Sequence, residues 1–84
     1  MKNPTLSKIN SYKNCFVESF LVDEKDLDSL SYQDIEEWDS VGHMNLMSLL
    51  EEEFEIEMDI DDIIDFSSFK VGKEILKKYE IEIE

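Results

Sequence analysis

Trp38-Asp39-Ser40-Val41-Gly42-His43-Met44-Asn45-Leu46-Met47-Ser48-Leu49-Leu50-Glu51-Glu52-Glu53-Phe54 is the stretch whose periodicity decides the fold. Projected at about 100° per residue, it shows two apolar stripes rather than one. His43, Leu46, Met47, Leu50 and Phe54 recur at helical spacing and predict a helix over 39–54 that turns this side to a core. Val41 and Met44, with Ser48 beside them, fall on a second side where Glu51, Glu52 and Glu55 also point outward. That side has no evident internal partner. At the amino end, Asp39 and Ser40 are both suited to accept a hydrogen bond from the first unpaired backbone N–H groups. Those donors and the positive end of the helix dipole favour an anionic group there, and a serine hydroxyl at such a spot is placed to carry a phosphodiester.

Upstream, Asn3-Pro4-Thr5 is a helix-start signal, with proline tolerated in the first turn. Leu6, Ile9, Tyr12, Phe16, Val17 and Phe20 then predict a first helix over 5–20. Residues 21–37 lose the rhythm and form a long connection with a short helical turn, anchored by Val22, Leu27, Leu30 and Ile35. Its length is expected to carry the chain along the bundle, so that the second helix begins near the end where the first began. Downstream, Asp59, Asp61 and Asp62 supply acidic residues at the start of a short helix over 60–66. Ser67 or Ser68 caps a last helix over 68–79, with Phe69, Gly72, Ile75, Leu76 and Tyr79 on one face, and 80–84 is expected to fray. Three longer helices and a short one predict a single domain, a small all-α four-helix bundle.

The 84 residues carry 8 lysines and no arginine against 22 acids, a formal net charge of −14. Such a field repels nucleic-acid phosphates and anionic membranes and draws proteins with basic patches, at the expense of self-repulsion. A hydrophobic content of 42% is enough to build a core, so the chain is not a disordered acidic tail. Cys15, the only cysteine, lies in an apolar helical pattern and is expected to be a buried, inert thiol. With no signal peptide and no apolar run of the ~20 residues needed to span a bilayer, the expected address is the cytoplasm.

Several chemical constellations fail on spacing. Asp59, Asp61 and Asp65 resemble the opening of a calcium-binding EF-hand loop, but Ile64 and Lys70 stand where that loop needs glycine and glutamate. One histidine and one cysteine cannot furnish a zinc site. Asp39, Ser40 and His43 have the residue types of a hydrolase triad, yet Asp39 adjoins Ser40 instead of standing behind the imidazole. His43 is expected to be partly buried near the helix start.

Trp38-Asp39-Ser40-Val41, then Leu46, Leu50-Glu51-Glu52-Glu53-Phe54, Asp62-Ile63, Phe66-Ser67-Ser68-Phe69 and Ile75-Leu76, resemble the acyl carrier protein family, well from Trp38 to Tyr79 and weakly in the first helix. The resemblance implies a non-catalytic, monomeric carrier whose Ser40, preceded by Asp39, is esterified with 4′-phosphopantetheine from coenzyme A by a phosphopantetheinyl transferase. It also implies that Val41, Met44, Glu51 and Glu52 form an apolar and acidic patch that docks biosynthetic enzymes through their basic surfaces. The core would shelter a short acyl chain among Leu46, Met47, Leu50 and Phe66. Asp28-Ser29-Leu30 matches the short motif even better than Asp39-Ser40-Val41, but no sustained apolar helix follows Ser29. Gly42 and Asn45 stand where fatty-acid carriers usually have acids, which points to a dedicated pathway, and glycine there costs roughly 1 kcal/mol of helix stability relative to alanine. The alternatives are an aminoacyl or peptidyl carrier, an unmodified acidic helical adaptor that binds a basic protein surface and does not need Ser40, or a small hydrolase that needs Ser40 and turns over substrate by itself.

Overall fold

The computed structural model describes residues 4–83, and side chains from residue 8 onward. Asn3, the side chains of Pro4, Thr5 and Leu6, and Glu84 lie outside the described residues. The chain is a small all-α bundle of α1 (Pro4–Phe20), α2 (Ser40–Phe54), α3 (Ile60–Asp65) and α4 (Phe69–Lys77), with a 3-10 helix at Glu24–Ser29 between α1 and α2. The helices expected from periodicity are present, with α4 closing two residues early because Lys78, Tyr79 and Glu80 form turns that donate to Ile75, Leu76 and Lys77.

Helix ends follow from local chemistry. The carboxylate of Asp39 accepts from the Gly42 amide at 2.9 Å, and the Ser68 hydroxyl accepts from the Val71 amide at 3.0 Å, so each supplies a partner to an orphan donor. At the other ends, Leu21 (φ 57°) and Glu55 (φ 56°) adopt the left-handed conformation that reverses the chain. The amides of Glu55 and Ile56 both return to the Glu51 carbonyl.

The core is aromatic. Tyr12, Phe16 and Phe20 from α1 meet Trp38, Phe66 and Phe69, all fully buried, with ring centroids 4.8–6.2 Å apart. Such pairs add about 0.5–1.5 kcal/mol each beyond the area they bury. The Tyr12 hydroxyl donates to the Phe69 carbonyl at 2.6 Å, and burial raises its pKa. From α2, Leu46, Met47 and Leu50 enter this core as their spacing requires, and His43 and Phe54 sit at its margin.

Two expectations are corrected. The connection does not carry the chain the length of the bundle: α2 begins beside the end of α1, where Phe20 packs on Gly42, and the two helices run antiparallel, with Lys8 and Ser11 bordering Glu53 and Phe54 at the far end. Residues 21–37 go instead into the 3-10 helix and into a detour to α4. There the Phe69 amide donates to Leu30, the Tyr32 amide donates to Ser67, and Ser31 pairs with Ser68 in an antiparallel bridge. The chain then turns sharply at Gln33 (φ 69°), whose amide donates to the Trp38 carbonyl. The tail does not fray as far as it is described. Glu80 turns it back with φ 64°, the Ile81 amide donates to Leu76, and Ile81 and Ile83 are buried. Their alternation with Glu80 and Glu82 puts the apolar side chains on the core and the acids in water.

Candidate functional site around Ser40

Ser40 is the first residue of α2 and is exposed. Asp39 is the cap, so that role does not fall on the Ser40 hydroxyl. Ser29, by contrast, is the last residue of the 3-10 helix rather than the first of a helix, and its hydroxyl donates back to the Asp26 carbonyl at 3.4 Å.

Beside Ser40 lies a cavity of about 440 Å³ between the start of α2 and α3. Its walls are mainly apolar: Met44 from α2, Ile63 and Phe66 from α3 and its end, with Tyr32 and His43 across from them. Ile60 and Ile64 complete the rim and are largely exposed. Of the expected shelter residues, Phe66 lines this space, whereas Leu46, Met47 and Leu50 are packed in the core behind it. Sequence reasoning missed Tyr32, Ile60, Ile63 and Ile64. The signal was present, since Ile60, Ile63 and Ile64 occupy i, i+3 and i+4 of a six-residue helix and so share one face of it.

His43 is half-buried, as expected, and both ring nitrogens are engaged. Trp38 Nε1–H donates to Nδ1 at 2.9 Å, and Nε2 lies 2.7 Å from the Ile63 carbonyl oxygen. Neither nitrogen faces Ser40 as a proton acceptor, so the hydrolase arrangement is missing its base.

The expected docking residues divide. Val41 is 70% exposed and Met44 52%, with Met44 on the α3 flank beside Ser40. Glu52 is exposed on the other flank, bordering a shallow groove with Glu18 and Asn45. Glu51 is half-buried, and its carboxylate accepts from the Met58 amide at 2.9 Å. It therefore has a structural task, the bracing of the segment between α2 and α3, that its place in an acidic run did not reveal.

Asp62, read from sequence as a dipole-complementing acid, is buried and joins α3 to α4. Its carboxylate accepts from Lys78 Nζ at 2.8 Å and from the Tyr79 hydroxyl at 2.6 Å, and that hydroxyl in turn accepts from the Asp59 amide. The Lys78 and Tyr79 hydrogen bonds hold the Asp62 carboxyl below its usual range. Asp61 and Asp65 are wound on α3, so the acids that resembled a calcium loop do not form one. Cys15 is buried, and desolvation pushes its thiol up to about 12. Among the described residues, no helix is long and apolar enough to cross a membrane.

No protein-family model, curated protein or solved structure matches the chain.

Proposed function

We propose that this chain is a carrier protein: Ser40 bears a 4′-phosphopantetheine arm, and the chain presents the acyl group on that arm to successive enzymes of a dedicated biosynthetic pathway. The observation that carries the reading is an exposed serine at the first residue of a 15-residue helix with an apolar cavity opening beside it. The arm, when bound, supplies a thiol that holds acyl groups as thioesters. The first turn of α2 receives the anionic phosphodiester next to its unpaired N–H groups and the positive end of its dipole. Met44, Ile63 and Phe66 offer an apolar surface to the cargo, and the exposed Val41, Met44 and Glu52 face the partner enzymes. In the modification step the Ser40 oxygen displaces the adenosine half of coenzyme A at phosphorus, and its proton passes to a base of the transferase. Two properties of the chain suit a cytoplasmic, freely diffusing monomer: its net charge of −14 and the burial of its large aromatic side chains.

The test is an intact mass after incubation with coenzyme A and a phosphopantetheinyl transferase. Addition of one phosphopantetheine, abolished in Ser40→Ala and retained in Ser29→Ala, is the expected result. An unchanged mass with a transferase that modifies a control carrier would leave the acidic adaptor as the better reading. The exposed Val41, Met44, Ile60 and Ile64 would then form its binding face.

A further inference from the structure

We propose that His43 is a positioning residue that fixes the inner wall of the Ser40 cavity and so sets how deep a group attached at Ser40 can reach; as a statement about cargo, this rests on the carrier reading above. An indole N–H only donates and a carbonyl only accepts. Trp38 therefore requires Nδ1 of His43 to be unprotonated, and the Ile63 carbonyl requires a proton on Nε2. One tautomer satisfies both, and it pins the ring at two ends.

One anchor is the fully buried Trp38, just ahead of α2; the other is the Ile63 carbonyl in the last turn of α3, which also accepts from the Phe66 amide at a longer 3.4 Å. The ring is also braced on its faces and edges. It lies nearly coplanar with Trp38, planes 18° apart and centroids 6.2 Å apart, as their in-plane hydrogen bond requires, and meets Tyr32 at 5.4 Å and Phe66 at 6.2 Å nearly edge-on. Behind it the core is closed, because Phe16 contacts both Trp38 and Phe66, and Leu46, Met47 and Leu50 are buried without lining the cavity. The space beside Ser40 thus stops at a wall of His43 and Phe66, held by two hydrogen bonds. An alkyl chain entering from Ser40 runs along Met44 and Ile63 and ends at the imidazole.

The experiment attaches the chain directly, so it does not depend on phosphopantetheine transfer. Ser40→Cys in a Cys15→Ala background is labelled with butyl, octyl and dodecyl methanethiosulfonate. Single labelling is verified by mass, and methyl NMR is recorded for Met44, Ile63, Leu46, Met47 and Leu50. With His43 present, the Met44 and Ile63 methyls shift while those of Leu46, Met47 and Leu50 stay in place at every length. With His43→Ala added, the octyl and dodecyl chains shift the Leu46 and Leu50 methyls. His43→Gln, whose amide both accepts and donates, restores the original pattern. Core methyl shifts under dodecyl with His43 present would overturn the proposal, whether or not the alanine variant folds. So would silence at Met44 and Ile63, or a glutamine variant that behaves like the alanine one. Failure of the carrier reading shows instead in the mass test, which leaves these spectra unaffected.

Discussion

Replacing Gly42 by alanine tests how the first turn of α2 is held. In an exposed helix interior the change should stabilise by about 1 kcal/mol, because glycine loses more backbone freedom on folding. Here the environment reverses the sign. A Cβ at position 42 would collide with the carbonyl oxygen of Glu37 and lie 3.1 Å from its carbon and 3.2 Å from Cε1 of Phe20. Two of those three atoms are backbone and the third is on a fully buried ring, so no flexible side-chain end exists to swing away. Overpacking of this kind costs about 1–3 kcal/mol, and a collision with backbone belongs at the upper end. Subtracting the helix-propensity gain leaves a net loss of about 2 kcal/mol, which for a domain of this size lowers the melting midpoint by roughly 10 °C. Gly42→Ala should therefore melt earlier by circular dichroism and by the fluorescence of Trp38, the only tryptophan. It should also be modified more slowly at Ser40, since the displaced residue 37 leads directly into Asp39 and Ser40. A midpoint raised by the amount expected of an exposed glycine would refute the argument that close approach, and not merely a missing acid, accounts for the residue.

Three further outcomes are expected. Ile83→Ala should destabilise by about 2–4 kcal/mol in urea unfolding, because Ile83 is only 2% exposed and its truncation leaves a cavity; a change within error would mean that the tail frays after all. Asp62→Asn should cost about 1.5–3 kcal/mol at neutral pH by removing the charge that Lys78 and Tyr79 donate to. The native pKa of Asp62 is lowered, so its contribution is present above the unfolded carboxylate value and is lost as pH falls through the native one. The wild type and variant should then converge in acid, whereas a gap constant with pH would place the effect elsewhere. Trp38→Phe removes the donor to His43 Nδ1 while keeping much of the ring; the imidazole nitrogen shifts in NMR should then lose the single-tautomer pattern, and an unchanged pattern would separate the tautomer from that bond.

Much of this architecture was legible because helices announce themselves locally. The alternation of Leu46, Met47 and Leu50 against Val41, Met44 and Ser48 needs only the pitch of a helix, and the structure buries the first set and exposes the second. Position and partnership were less legible. The path of residues 21–37 depends on where Ser31 and Ser68 pair, a contact across 37 residues that no local pattern encodes. Glu51 and Glu52 are neighbours of identical type, yet one binds a backbone amide and the other faces water, a difference set by where the Met58 segment returns. The tail misled because Ile-Glu alternation over five residues is too short to distinguish a packed strand-like segment from a loose end.

The Ser40 site shows the same division between what is local and what is not. Its polar half, the serine and the capping Asp39, is contiguous in sequence and could be read there. Its apolar half is assembled from Tyr32, Met44, Ile63 and Phe66, which come from three separate segments. Among the described residues, His43 is the one side chain that bonds both to Trp38, ahead of α2, and to α3, linking two of those segments. A histidine at an apolar helix position has an unremarkable signature, since its value lies in two nitrogens that face different partners, five residues back and twenty residues on. The consequence is a serine whose setting is rigid on the side of the protein and open on the side of solvent. Asp39 fixes the first turn, His43 bonds across the wall, and Ile60 and Ile64 stay exposed around the mouth. Loosening the wall should therefore alter what the cavity accepts without altering whether Ser40 is reached, and the His43 and Ser40 variants separate those two effects.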